Sequence, residues 1–388
     1  MEVVIASAVR TGNGRFGGRL KEAAAPQMGA AVIKEAVART GIEGAEVNEV
    51  IFGSGWQAGV GANPARLCTV KSGLPETVPA FSVNIRCGSS LRAAMLGAQT
   101  ILAGDALVVV AGGAESTSNV PYALPEARWG QRMGDRTVVD LLHHDGFKCP
   151  LAGMLMGATA EILVEEYAIS RSEQDQFALE SHQKAVRAIA EGRFTREMVE
   201  VPLKKGVFLE EEIPRADANL ESLGKLPPVF KPGGSVTAGN SCAMADAASA
   251  VVLMSRDKAR DAGVKPLAVI RGYSYVALAP DHMGLGPDQA IPAALQKAGL
   301  TLADMDLIEV NEAFAAQVIA CERELKWDRA RLNVHGGAVA LGHPVAATGT
   351  KILATTLYAL QAYDKTLAVV SLCIGGGQGV AMVVERLN

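Results

Sequence analysis

The chain has 388 residues, a formal net charge of −4, and 49% hydrophobic against 20% charged side chains. A single small core cannot absorb that length, so two or three domains are expected, and no global basic field is available for a nucleic-acid partner. Glycine is abundant at 41 residues while aromatics reach only 5%, which favours tight turns and close packing over aromatic stacking platforms.

In chain order, "EVVIASAVR" reads as a buried strand, and "MGAAVIKEAVARTG" has helical spacing that stops at Gly41. The opening "MEVVIASAVRTG" fits neither a signal nor a transit peptide. "EVIFGSG" and "FSVNI" read as strands, "SSLRAAMLGAQTILAG" as a helix ending at Gly104, and "ALVVVAGG" as another strand. Strands alternating with helices argue for a largely parallel α/β sheet. From about 117 to 243 the texture changes to long loops around one helix-like run, "ISRSEQDQFALESHQKAVRAIAEG", and ends in the Pro/Gly-rich "LPPVFKPGGSVTAGN". Long ordered loops often carry ligand contacts. No apolar stretch reaches the roughly 20 residues of a membrane span.

The second part of the chain repeats the first. "RTGIEGAEVNEVIFGSGW" (39–56) lies over "KAGLTLADMDLIEVNEAF" (297–314), so that Gly53 falls on Asn311, an offset of 258 residues. The same offset carries Cys87 to within two residues of His343 in "LGHPVAATG", and "VVVAGG" close to "VVSLCIGGG". Two α/β halves of similar topology are expected, each with a strand–turn–helix at the equivalent place.

The six cysteines (Cys68, Cys87, Cys149, Cys242, Cys321 and Cys373) form no CxxC pair and no metal-ligand spacing. They read as free thiols in a reducing cytoplasm, with no metal. Cys87, in "NIRCGSSLRAA", is either a small buried residue or a reactive thiol at a helix start. The helix dipole contributes about 0.3–2 kcal/mol, roughly one pKa unit. That leaves the thiol largely protonated or half ionised, so a base is needed. The repeat offers His343 from the facing turn. Cys373 precedes three glycines whose N–H groups could meet an oxyanion. Asn311, at a strand end in "IEVNEAFAAQ", could cap a helix or donate to a carbonyl, directly or through water.

Four stretches taken together, "NIRCGSSL", "VNEAF", "GGAVALGHP" and "SLCIGGGQG", resemble the thiolase family, and "SVTAGNSCAMADAA" and "GGAESTSNVPY" also match its pattern. The resemblance runs from Met1 to Asn388. It implies an α/β thiolase fold: duplicated βαβαβαββ halves in a layered α-β-α-β-α arrangement with an inserted loop domain. The expected division is 1–116 plus 244–266 for the first half, 117–243 for the loop domain and 267–388 for the second half. It also implies an acyltransferase that cleaves a 3-ketoacyl-CoA, or runs the reverse Claisen condensation. Cys87 would be the acylated nucleophile, His343 its activator, and Asn311 the holder of an oxyanion-hole water. Cys373 would be the acid/base, and the N–H groups of Cys87 and Gly375 a second oxyanion hole. Phe147, Met156, Arg215, Ser222, Phe230, Ala238 and Cys242 stand at the family's coenzyme A positions. Coenzyme A is then a substrate, with no permanently bound cofactor. A homodimer or homotetramer is implied for the region 120–147, with an accessory subunit left open.

Several positions depart from the family pattern: Ser90, Ala346, Thr348, Cys242 and Leu155, with Arg86 and His335 also uncommon. Packing drift would explain them. So would a pocket adapted to a bulky aromatic or carboxylated substrate, with Arg86 as the carboxylate's partner or as a structural pair. A ketoacyl synthase lacks a cysteine equivalent to Cys373. A low-activity acyl-CoA-binding subunit remains the non-enzymatic alternative.

Overall fold

The computed structural model describes residues 2–130 and 132–387. Its principal elements are β1 (Val3–Thr11), α1 (Ala25–Ala38), β2 (Glu49–Gly53), α2 (Pro64–Lys71), β3 (Ala80–Val83), α3 (Ser89–Ala103), β4 (Val108–Ser116), α4 (Met156–Glu166), α5 (Arg171–Ala190), β5 (Ala245–Ser255), β6 (Ala268–Ala277), α6 (Gly286–Ala298), β7 (Leu307–Val310), α7 (Ala315–Leu325), α8 (Thr348–Ala362), β8 (Leu367–Ile374) and β9 (Gln378–Arg386). Local chemistry sets many of the boundaries. α3 stops at Gly104, whose φ of +86° a side-chain residue rarely adopts. α5 starts in a capping box between Ser170 and Glu173.

The strands pair in the order β7-β8-β9-β6-β1-β5-β4-β2-β3. Each half repeats one pattern. β2 runs parallel to β4, β4 antiparallel to β5, and β5 antiparallel to β1. Likewise β7 runs parallel to β8, β8 antiparallel to β9, and β9 antiparallel to β6. The halves meet where Val4 and Ile5 pair with Val269 and Ala268. The counterpart of β3 in the second half is reduced to one bridge between Ile308 and Leu332.

The period-2 alternation of side chains builds the layers. In β1, Val3, Ile5 and Ala8 face one core, while Val4, Ala6 and Val9 face another. The first core also holds Leu91 and Met95 of α3 and Leu353 and Leu357 of α8, so these two helices lie between the two sheet halves. The second core seats α1 and α2 on the outer face of the first half. In β8 and β9, Val369, Ala381 and Val383 face a third core that seats α6 and α7. The result is the α-β-α-β-α layering expected.

The duplication is clearest at the central helices. α3 and α8 each span fifteen residues, and each follows a three-residue 3₁₀ turn, Arg86–Gly88 and Val345–Ala347. The offset there is 259, because the second half carries one more residue between strand and helix. The counterpart of Cys87 is therefore Ala346, and His343 corresponds to Asn84. Between β4 and β5 the chain leaves the sheet, except where Met198 and Val199 pair with Arg10 and Thr11. No helix among the described residues is long and apolar enough to cross a membrane.

His335 packs among aromatic rings, its ring 5.7 Å from that of Phe194 and 5.5 Å from that of Tyr363. Both ring nitrogens are buried without partners. Burial, then the charges of Arg193 and Arg10, push its pKa down to about 4. The unfolded chain binds a proton at this histidine below about 6.5, whereas the folded chain does so only near 4. This residue's contribution to stability is therefore lost as pH falls across that window. His335→Phe should gain on the parent by up to about 1.4 kcal/mol per pH unit there. Thermal melts at stepped pH check this, and a variant-minus-parent difference that stays flat from pH 6.5 to 4 would refute it.

Candidate active site

The chain leaves β3 and turns through Arg86–Gly88 into α3. Arg86 holds φ at +57°, a conformation that side-chain residues adopt sparingly. Its neighbours lock it there. Arg86 N–H donates to Asn84 Oδ1 (3.1 Å), and Ser89 Oγ donates to the Arg86 carbonyl (2.6 Å) while accepting from Ile85 N–H (3.0 Å). Backbone strain of this kind clusters at functional sites. It presents Cys87 half-buried just ahead of the helix N-terminus. The dipole does not prevail. Burial pushes the thiol's pKa up, opposed by the Arg86 charge and by the N–H groups of Gly375 and of Cys87 itself. The thiol is protonated at neutral pH and needs a base.

The turn that follows His343 packs against the Cys87 turn. His343 N–H donates to the Ala243 carbonyl (2.8 Å), and its Nδ1 lies 2.7 Å from Thr348 Oγ1. Burial first, then the charges of Lys351 and Arg86, lower its pKa to about 3. The neutral ring can donate Nδ1–H to Thr348 and keep Nε2 as an acceptor. Nε2 is buried and has no hydrogen-bond partner. Asn311, at the end of β7, is equally bare: it is 1% exposed and neither Oδ1 nor Nδ2 is bonded. It is not a helix cap, since α7 starts after Phe314 with no side-chain cap. A buried polar group left unpaired costs about 1–3 kcal/mol. Such groups call for a ligand or water.

Cys373 sits 1% exposed near the end of β8. The Cys87 turn rests on this strand end: a β-carbon on Gly88 would lie 2.4 Å from Ile374 Cδ1. Burial, then the proximity of Cys87, Cys321 and Cys242, raise the Cys373 thiol well above the usual range. Gly375–Gly377 close the hairpin to β9 with φ of +91° at Gly376 and +78° at Gly377. A β-carbon on Gly375 would lie 2.3 Å from Met156 Cε, so α4 begins directly against this turn.

Of the remaining expected positions, Met156 and Phe230 border the apolar cluster that holds Cys373 and Phe314. Phe147 packs edge-on to Trp56 (5.8 Å) beside Cys87 and Val345. Cys242 is half-buried, and its pKa is pushed up to about 12 by burial, with Cys87 nearby. Arg215, Ser222 and Ala238 are exposed, Ser222 in the short helix Leu220–Gly224. The Ser222 hydroxyl is bonded to the Asn219 carbonyl (2.9 Å).

Residues 3–257 match the thiolase N-terminal domain and residues 264–386 the thiolase C-terminal domain. The chain belongs to the thiolase family. It is 50% identical to the acetyl-CoA acetyltransferase of Escherichia coli (strain K12) over 390 residues, covering 99% of each. It is 48% identical to that of Syntrophomonas wolfei, over all of this chain and 99% of the other. The crystal structure of the Bacillus anthracis acetyl-CoA acetyltransferase aligns with a TM-score of 0.98 at 43% identity, over 100% of this chain and 99% of that one. The protein is thus an acyltransferase with the thiolase fold and thiolase activity. A specialised aromatic or carboxylate pocket and a binding-only subunit are not favoured.

Most of the unusual positions have structural partners. Arg86 stacks over the Trp56 ring (4.5 Å) and donates to the Gly55 carbonyl (3.2 Å), so its guanidinium has structural partners. Ser90 is buried and accepts from Thr350 N–H (3.0 Å), joining α3 to α8. Thr348 holds the His343 ring. Leu155 pairs with Lys148 in a short hairpin leading into α4.

Two polar residues escaped the sequence reading. Glu115, at the end of β4, accepts from Gly55 N–H (3.0 Å), Trp56 N–H (3.2 Å) and Ala346 N–H (3.0 Å). It ties the loop beneath Arg86 to the turn after His343. Burial raises its pKa to about 7, against the pull of those N–H donors. Lys351 is the second, a lone cation in the otherwise buried α8. A carboxylate closing an apolar strand and a lysine inside "TGTKILATTLYAL" were the available signals. Glu115→Gln places an NH₂ against N–H donors. It should lower stability by about 1–3 kcal/mol and slow alkylation of Cys87, as read by denaturant melts and iodoacetamide kinetics. Unchanged melts would refute the bracing role.

Proposed function

We propose that this thiolase cleaves a 3-ketoacyl-CoA through an acyl-Cys87 intermediate, and catalyses the reverse condensation. Cys87 attacks the 3-keto carbon as its proton passes to His343 Nε2. The C2–C3 bond then breaks, and the electron pair leaves as the enolate of acetyl-CoA. Cys373 protonates that carbon. Free CoA attacks the acyl-Cys87 thioester, and the shortened acyl-CoA departs. The observation that carries this reading is the pair of bare, buried groups, His343 Nε2 and the Asn311 amide. His343 Nε2 is suited to take the Cys87 proton and, once protonated, to donate to a thioester oxygen, which Asn311 reaches through a water. The Gly375 and Cys87 N–H groups acting on the Cys87 sulfur support a second oxyanion hole. The raised Cys373 thiol supports a proton donor at neutral pH. Because Cys87 is pushed up and His343 down, the resting pair is thiol and imidazole. The proton moves as the C–S bond forms.

The names of the relatives support acetyl transfer between CoA thioesters, with acetoacetyl-CoA preferred over aryl and dicarboxylic 3-ketoacyl-CoAs. The proposed organisation keeps 1–116 with 244–266, 117–243 and 267–388 as separate units, the middle one carrying coenzyme A. Trp129 and Met133 are 86% and 89% exposed, which supports a further copy of the chain covering this segment in a homotetramer. Trp129→Glu with Met133→Glu should lower the mass by light scattering, and an unchanged mass would refute that contact.

Cys87→Ser should abolish thiolysis. Cys373→Ser should leave acylation intact but block exchange of the acetyl-CoA methyl protons. Normal exchange in the second variant overturns the role of Cys373. A kcat/KM for aryl substrates above that for acetoacetyl-CoA overturns the substrate reading.

A further inference from the structure

Lys351 lies one turn into α8 and is 3% exposed. Its Nζ donates to the Gly342 carbonyl at 2.8 Å. That carbonyl belongs to the peptide unit whose N–H is that of His343. Three residues earlier on the same helix face, Thr348 holds the imidazole through Nδ1. The first turn of α8 thus grips His343 twice, once by its ring and once by its backbone. Gly342 has φ of +85°, and a β-carbon there would lie 2.5 Å from Ile213 Cδ1. The loop is confined on the far side as well.

An ammonium is costly to bury, and Lys351 has three donors for the single hydrogen bond it makes. Methionine or leucine would fill the space without that cost. The bond falls on the peptide next to the one imidazole at the site. We propose that Lys351 is a positioning residue for His343, anchoring the Gly342 carbonyl so that the ring stays seated on Thr348 with Nε2 free to take a proton. This rests on the reading of His343 as the acceptor of the Cys87 proton.

The charge of Lys351 has a second effect, keeping the resting ring neutral. It opposes protonation of His343, as does that of Arg86. Lys351 in turn faces Arg10 on β1, Glu309 on β7, and Glu197 and Glu211 on the segment between α5 and β5. Glu312 and Lys184 act on Glu309. Burial brings the lysine down to about 8, so its charge is largely present at neutral pH. Removing that charge raises the imidazole's affinity for a proton.

The test uses three variants. Lys351→Arg keeps donor and charge, Lys351→Gln keeps a donor without charge, and Lys351→Met keeps neither. Lys351→Met should lower kcat for acetoacetyl-CoA thiolysis by roughly ten- to a hundredfold, with KM within about twofold of the parent and Lys351→Arg restoring the rate. In Lys351→Gln and Lys351→Met, the acid limb of Cys87 alkylation should move to higher pH. A purely structural lysine would lower the melting temperature and leave that limb in place, which overturns the proposal. If Lys351→Met does not fold, the Gln and Arg pair decides. Nitrogen-15 NMR of the histidine rings separates this from the functional reading. It should show His343 protonated at Nδ1 in the parent and a tautomer mixture in Lys351→Gln, whether or not the parent cleaves acetoacetyl-CoA. An unchanged tautomer in Lys351→Gln overturns the proposal on its own.

Discussion

Two helices buried between the sheet halves touch at backbone distance, and the site depends on that contact. A β-carbon on Gly349 would lie 2.5 Å from Leu91 N, and Ser90 Oγ accepts from Thr350 N–H across the same crossing. Only glycine permits this approach of α3 to α8. Each helix carries its 3₁₀ turn at the N-terminal end, so the crossing lays the Cys87 turn beside the turn that follows His343. Interior packing is close and relaxes only partly when disturbed. The relative placement of thiol and imidazole is thus a property of the core.

Polar groups finish what the packing starts. Glu115 draws in three N–H groups from two loops. Glu312 accepts from Ser181 Oγ, Asn333 Nδ2 and Val339 N–H, holding the approach to α8 against α5. Lys351 and Thr348 seat His343 from the helix side. Every one of these side chains is bonded, while Asn311 and His343 Nε2, the groups proposed to meet a reacting thioester, are left bare. The groups that brace the turns are satisfied internally.

Much of this was legible in one dimension. The alternation in "EVVIASAVR" and "VVVAGG", the stops at Gly41 and Gly104, and the repeat between 39–56 and 297–314 gave the α/β halves. The motifs around Cys87, Asn311, His343 and Cys373 gave the candidate site. The repeat was offset by one residue at the central helices, because a one-residue loop difference is invisible to motif spacing. Asn311 looked like a cap because an asparagine before a helix usually is one, but α7 begins four residues later, at Ala315. The helix dipole argued for a lower Cys87 pKa, a term of at most about 2 kcal/mol that burial outweighs.

The sequence by itself determined which residues could do chemistry, how the chain is duplicated, and which family it joins, since these are properties of residue order and spacing. The tertiary structure alone decided protonation, orientation and neighbourhood. Burial and charge at a point in space depend on every element packed there, and that sum is written nowhere along the chain. Hence Arg86, a candidate for substrate by sequence, lies over Trp56, while Glu115 and Lys351, unremarked by sequence, hold the two turns of the site.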